Sequence, residues 1–355
     1  MSDFGYTEFW QTLFAPHAAN GLVPGRVVRA DRGSFAVATE AGIVTAKAAA
    51  RLTKSAKGPA DLPAVGDWTA LSFSDDMEVS QLEAILDRSS AVTRGDSSKS
   101  SDIQVLAANV DVIFVVHPIS TEPNLRRIER ELSLAWESGA TPVVVLAKAD
   151  IAEDPDVARA AVEAISFSVD VHATSAIAGD GIEPLREYIH DHRTAVLLGP
   201  SGAGKSTLIN ALLGQQRQAT REVRDGDGRG RHTTVARELI LVPGGGIVID
   251  TPGLRSLGLT GSGQGIAAAF PEIERLASMC RFRDCTHDGE PGCAVQVAVA
   301  SDQLSADRLF SYHKLVREAQ VTAARTDAHL RREEKRRSKT MGKLVKDYYR
   351  RSGRD

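Results

Sequence analysis

The sequence predicts a three-part chain: a small β-barrel, an α/β domain on a mostly parallel sheet, and a helical segment built around a cysteine cluster. Short β-rich runs follow one another from Gly21 to about Ser90, and strand-like and helix-like stretches alternate from about 106 to 258. All three cysteines lie between 280 and 293. At 355 residues the chain exceeds one ordinary core, so several domains are expected.

Composition sets the class. With 42% hydrophobic and 25% charged residues the chain reads as globular, not disordered or fibrous. No apolar run approaches the roughly 18–20 residues of a spanning helix. The opening "MSDFGYTEFWQTLF" has no basic segment before its apolar residues, which argues against a secretory signal. The expectation is a cytoplasmic, monomeric protein without a membrane partner. From Arg331 onward the tail holds eleven Lys or Arg against four Asp or Glu, leaving an acidic body. Such a tail suits a polyanionic partner, and equally a merely solvated terminus.

Residues 1–20 form an N-terminal arm. In 21–92, "GRVVRA", "SFAVAT", "GIVTAKA" and "DWTALSF" are short strands divided by "DRG", "EAG" and "AVGD" turns, as in a small barrel of the oligonucleotide-binding (OB) type. Arg26, Arg29, Arg32, Lys47, Arg51, Lys54 and Lys57 would give it a basic face for nucleic acid; a docking module with incidental charges is the other reading. Residues 93–105, polar and Ser-rich, read as a linker.

In 106–258, "DVIFVV", "TPVVVLA", "VDVHATS", "TAVLL", "ELILV" and "GIVID" are strands. The stretch "NLRRIERELSLAWES" is a helix with Leu125, Ile128, Leu132 and Trp136 on one stripe, closed by Gly139. Alternation of this kind implies a parallel sheet covered on both faces. Residues 259–330 carry the cysteine cluster and an amphipathic helix, "SADRLFSYHKLVREAQVTAAR", with Ser305 at its N-cap and Leu309, Tyr312, Leu315, Val316 and Ala319 on one side. The basic tail is 331–355.

"TAVLLGPSGAGKSTLINALLG" is strand, glycine loop, helix, and Gly199–Ser206 fits the phosphate-binding pattern G-x-x-x-x-G-K-[ST]. In Gly199, Pro200, Ser201, Gly202, Ala203 and Gly204 the backbone N–H groups can converge on phosphate oxygens, helped by the positive helix start. Lys205 is expected to reach the β- and γ-phosphates as the catalytic cation. Ser206, followed by Thr207, offers a hydroxyl to Mg²⁺. Downstream, "GIVIDTPG" brings Asp250, which would hold Mg²⁺ through water, and Gly253, whose N–H would face the γ-phosphate. Between them "RDGDGRGRHTTVAR" is the place for a switch loop, in which Thr233 or Thr234 closes on Mg²⁺.

Base choice must come from elsewhere. "VVVLAKAD" ends a buried strand in Ala147, Lys148, Ala149 and Asp150. The Asp150 carboxylate can accept from both N1–H and N2–H of guanine, while the Lys148 stem lies over the ring. Such bonds contribute about 1.5–3 kcal/mol each, and adenine would leave the carboxylate without donors. The loop "HATSA" also ends a strand, and a backbone N–H near Ser175 or Ala176 can reach guanine O6. GTP and GDP are the expected ligands. Both base-reading loops precede the phosphate loop, so the motif order is circularly permuted. A parallel sheet permits this if the chain enters between the last switch strand and the base-reading strands.

Cys280, Cys285, His287 and Cys293 stand within "CRFRDCTHDGEPGC". Three thiolates and one imidazole suit a closed, structural Zn²⁺ site, and an odd cysteine number does not suit disulfides.

Permuted order, a β-domain in front and a Cys/His cluster behind together resemble the ribosome small-subunit-dependent GTPase A family over nearly the whole chain. The resemblance implies a GTPase that binds the small (30S) ribosomal subunit and its rRNA, assists late maturation, and hydrolyses GTP to GDP and phosphate when the subunit stimulates it. It also implies a zinc-binding domain at this place. In that family the segment matching 147–150 is usually Asn- or Thr-Lys-x-Asp. Ala147 departs from it, at about 1 kcal/mol for each lost hydrogen bond, so weaker guanine affinity with preserved preference is expected. Many GTPases orient water with a glutamine after the D-x-x-G strand end; Leu254 cannot do so. His232, matching a histidine in the family's first switch, is the candidate for positioning water. Two alternatives remain: a nucleotide-regulated RNA- or ribosome-binding module with negligible turnover, favoured by Leu254, and a P-loop kinase or ATPase, disfavoured by Asp150.

Overall fold

A computed structural model describes residues 1–31, 33–73, 79–95, 103–215, 237–251, 258 and 263–323. His232, Thr233, Thr234, Gly253, Leu254 and the basic tail 331–355 lie outside the described residues.

Helix α1 (Glu8–Ala18) precedes the barrel strands β1 (Val23–Asp31), β2 (Ser34–Thr39) and β3 (Gly42–Ala48). Helix α2 (Ala50–Ser55), β4 (Trp68–Ser72) and β5 (Ser80–Ile85) complete it. Strands follow the order β1-β2-β3-β5-β4, and β4 pairs back onto β1, so the barrel is closed. The parallel β3–β5 pair and the helix between β3 and β4 give the OB arrangement. Val27, Val37, Ala46, Leu71 and Leu82 fill the interior, all out of contact with solvent. Sequence patterning showed four of these strands; β5 lay beyond it.

Next come β6 (Ala91–Gly95) and β7 (Ile103–Ala108), an antiparallel pair with Ala91 opposite Ala108 and Gly95 opposite Ile103. The Ser-rich stretch read as a linker thus enters and leaves through paired strands, because Val92, Val105 and Leu106 bury their side chains. The α/β part continues with β8 (Val112–Pro118), α3 (Leu125–Glu137), β9 (Thr141–Ala147), α4 (Pro155–Glu163) and β10 (Val171–Thr174). It ends with α5 (Glu183–Glu187), β11 (Thr194–Leu198), α6 (Lys205–Leu213), β12 (Arg237–Val242) and β13 (Gly246–Asp250). In space the order is β10-β9-β8-β11-β13-β12, parallel except for β12.

The strands are almost wholly apolar because both faces are covered. One face packs α3, α4 and the C-terminal helices, the other α5 and α6. Asn124 caps α3 by accepting from the Arg127 N–H at 3.1 Å. Its inward stripe is Ile128, Leu132 and Ala135, each fully buried, with Leu125 and Trp136 half-buried at the margin. Burial of Ile128 and Leu132 stabilises by about 1.5–3 kcal/mol each.

The barrel and the α/β sheet are continuous. Strand β1 pairs with β12 through Arg29–Glu238 and Ala30–Arg237. Arg26, 2% exposed, bolts the junction. Its guanidinium donates to Thr194 Oγ1 at 2.8 Å, Phe4 O at 2.5 Å, and Gly66 O and Asn109 O at 3.3 Å. It also lies 5.3 Å from the Trp68 ring centroid. Burial lowers its pKa to about 10 against the pull of Asp111 and Asp67, so it stays charged at neutral pH. Arg26→Met leaves buried acceptors unpaired and is expected to cost about 3 kcal/mol, read as a lower urea midpoint at unchanged slope. An unchanged midpoint would show the bolt to be idle.

The C-terminal part comprises α7 (Gln264–Ala269), α8 (Pro271–Ala277), α9 (Ala294–Ala300) and α10 (306–323). Ser305 stands at the N-cap position of α10, and Leu309, Leu315 and Ala319 are buried. Helix α7 lies against α3. Arg308 of α10 donates to Glu129 at 2.9 Å, Glu272 at 2.6 Å and the Ala269 carbonyl at 2.7 Å, and sits 4.1 Å over the Phe270 ring. One buried cation thus joins α3, α7, α8 and α10. No helix of the described residues is long and apolar enough to cross a membrane.

Candidate nucleotide site and metal cluster

Parallel strands put the ends of β10, β9, β8, β11 and β13 on one edge of the sheet. The chain starts in the middle at β8, runs outward to β10, and returns as β11 on the other side of β8. Strand order reverses between β8 and β11, where open α/β sheets bind ligands.

The loop Gly199–Gly204 opens at this point. Gly199 has φ +147°, and a Cβ there would collide with the Val116 carbonyl of β8. Gly204, at φ +100°, is the N-cap of α6. Ala203 is buried beneath the loop, whereas Ser201, Gly202 and Ser206 are exposed. The helix start therefore faces outward with its first N–H groups unclaimed by a side-chain cap. Lys205 folds back and donates from Nζ to Gly199 O at 2.8 Å and Pro200 O at 2.6 Å. Two carbonyls hold the ammonium over the loop where phosphate charge would sit.

Ala147 ends β9 beside this loop: its Cβ lies 3.8 Å from where a Cβ on Gly204 would stand. The next residue, Lys148, takes a left-handed conformation (φ +63°), and Ala149–Ile151 form a single 3₁₀ turn that leaves Asp150 exposed. Strand β10 ends at Thr174, register partner of Ala147. Ser175 is buried, and its N–H donates to Asp180 O at 3.0 Å. Of the two amides expected near a guanine O6, the Ser175 donor is thus spent within the turn, which leaves Ala176. On the other flank Asp250 closes β13, adjacent to β11. Ser206, in the first turn of α6, and Asp250, at the end of β13, carry oxygen ligands of the type Mg²⁺ takes.

Thr174, buried at the end of β10, was not singled out by sequence reading. It stands one place before Ser175, and only its burial and register mark it.

The metal cluster is drawn together by the end of α8 and the start of α9. Ligand atoms of Cys280, Cys285, His287 and Cys293 lie within 4.8 Å of one another. The His287 Nδ1 is 3.6 Å from Cys280 Sγ and 3.5 Å from Cys293 Sγ, and the two sulfurs are 3.9 Å apart. A tetrahedral ion with bonds of about 2.3 Å to sulfur and about 2.05 Å to nitrogen has edges of about 3.8 and 3.6 Å. Cys280, His287 and Cys293 match these edges, and Cys285 Sγ, within 4.8 Å of each of them, is placed as the fourth donor. Burial, and then nearby His313, lower the His287 pKa, keeping the imidazole in the neutral form that ligates. Glu290 braces the loop by accepting from Thr286 N and Asp288 N, each at 2.8 Å.

Comparison with known proteins agrees with this geometry. Residues 85–260 match the family described as RsgA GTPase. A Streptomyces coelicolor protein named small ribosomal subunit biogenesis GTPase RsgA is 46% identical over 98% of this chain and 94% of its own. An Opitutus terrae protein of the same name is 43% identical over 96% and 95%. Among solved structures, YjeQ from Thermotoga maritima superposes with a TM-score of 0.63 at 25% identity, covering 84% of this chain and 99% of that one. YloQ, described as a circularly permuted GTPase, gives 0.59 at 24% identity over 84% and 95%, a likeness of fold. The chain belongs to the RsgA family of circularly permuted GTPases.

Proposed function

We propose that this protein hydrolyses GTP to GDP and phosphate on the small ribosomal subunit and assists its late maturation. The observation that carries the reading is the shared sheet edge, where Gly204 of the phosphate loop meets Ala147 of the base-reading segment. In the proposed arrangement Asp150 accepts from the guanine edge, Lys148 covers the ring and the Ala176 N–H meets O6. The loop 199–204 and the start of α6 cradle the phosphates. Lys205 leaves its two carbonyls for the β- and γ-phosphate oxygens, where charge grows during transfer. Mg²⁺, when bound, would be held by Ser206, by Thr233 or Thr234, and through water by Asp250, and would neutralise phosphate charge. His232 is the proposed water-positioning group.

The Cys/His cluster would hold one structural Zn²⁺, since all four positions are protein donors. Strand β12 begins at Arg237, directly after the proposed switch loop, and hydrogen-bonds to β1 of the barrel. Nucleotide state thereby gains a route to the domain proposed to lie on rRNA. The working unit is proposed to be a cytoplasmic monomer.

Purified protein is expected to turn over GTP slowly, to leave ATP untouched, and to accelerate many-fold with intact small subunits. Phosphate release for both nucleotides, with and without subunits, tests this. Equal ATP turnover would remove the guanine assignment, and no acceleration would leave only a nucleotide-regulated binding module.

A further inference from the structure

Thr174 Oγ1 is a polar atom without a hydrogen-bond partner among the described residues, on a residue 1% exposed. Native interiors pair nearly all such atoms, so this one calls for an account. Thr174 is the last residue of β10 and the register partner of Ala147. In a parallel pair, partners project to the same face. Here that face carries Ala147 and Ala203 of the phosphate loop. The methyl branch of Thr174 is occupied with the turn after β10, 3.2 Å from where a Cβ on Gly181 would stand. The hydroxyl is the branch left over. Its strand neighbour, Ala147, offers only a methyl group and lies against Gly204. Position 147 therefore touches the base-reading strand β10 on one side and the phosphate loop on the other, and carries nothing able to bond either.

We propose that Thr174 is a positioning residue of the guanine site whose hydrogen-bond partner is missing at position 147, so that β9, β10 and the phosphate loop are held together loosely and bound nucleotide leaves fast. This rests on the GTPase reading above. A polar side chain at 147 would take the Thr174 hydroxyl as partner, fix both strand ends relative to Gly204, and slow nucleotide release.

The test uses the full chain and a fluorescent GDP. Ala147→Asn and Ala147→Thr are expected to slow dissociation and tighten binding about 3- to 10-fold, the worth of one hydrogen bond, with association unchanged. Made on top of Thr174→Val, the same substitutions are expected to gain nothing. Ala147→Ser, one atom larger than the native residue, guards against a side chain too bulky for the site. Equal gains with and without the Thr174 hydroxyl would overturn the proposal. So would no gain, or a lowered melting temperature, in all three variants. Binding of GDP by the unaltered chain is measured first; its absence would refute the guanine reading and is separate from these outcomes.

Discussion

Lys205→Ala is expected to lower GTP hydrolysis by about 10²- to 10⁴-fold, the worth of two charge-assisted bonds to transferring phosphate oxygens. Binding of GDP should weaken as well, because one of those bonds already exists in the ground state. The fold should survive. Lys205 Nζ bonds the Gly199 and Pro200 carbonyls, and Pro200 stands at the solvent edge of the loop, so water can replace the ammonium there. Melting temperature without nucleotide is therefore expected to change little. Lys205→Arg should not restore the rate, since a planar fork does not reproduce a compact ammonium threaded over a tight loop. Phosphate release at saturating GTP, with and without small subunits, measures the loss. A variant that keeps more than about a tenth of the rate would show that Lys205 only braces the loop, because even one such bond contributes more than that.

Elements that carry their own signal were legible in the sequence. The phosphate loop needs glycine where φ is positive and lysine at the helix start, so eight consecutive positions announce it. Cys280 to Cys293 are equally local, and the strands β2, β3, β9, β11 and β13 coincide with apolar runs between turns. What escaped depends on partners far away in the chain. Nothing in "GRVVRA" says that Ala30 will pair with Arg237, or that Arg26 will bond Thr194 across the domain junction. Spending of the Ser175 N–H on Asp180 follows from the shape of one turn. The unpaired Thr174 hydroxyl follows from register, which a strand pattern does not specify until its neighbour is known.

Removing the metal is expected to have the largest effect on stability. Coordination energy in structural zinc sites is folding energy, on the order of 10 kcal/mol, and residues 280–293 are otherwise held by single hydrogen bonds such as those accepted by Glu290 and that from Gln296 Nε2 to His287 O. Cys280 follows α8, Cys293 is the N-cap of α9 with its Sγ accepting from Gln296 N at 3.4 Å, and the loop between contains no regular element. Helix α10 leans on this loop through His313 Nε2, 3.0 Å from Thr286 O, and on α8 through the Tyr312 hydroxyl, which donates to Glu274 at 3.1 Å. The damage should not stay local. Cys293, Val295, Ala298, Leu309 and Leu315 belong to the same apolar cluster as Ile128 and Leu132 of α3, and Arg308 pins α10 to α3 through Glu129. Chelation, or Cys293→Ser, is therefore expected to lower the melting temperature of the whole chain and to expose the α3 face. It should not merely add a separate low-temperature step. Calorimetry with and without chelator, and metal content by atomic absorption, measure this. An unshifted main transition after complete metal loss would show that the C-terminal helices stand on their own packing.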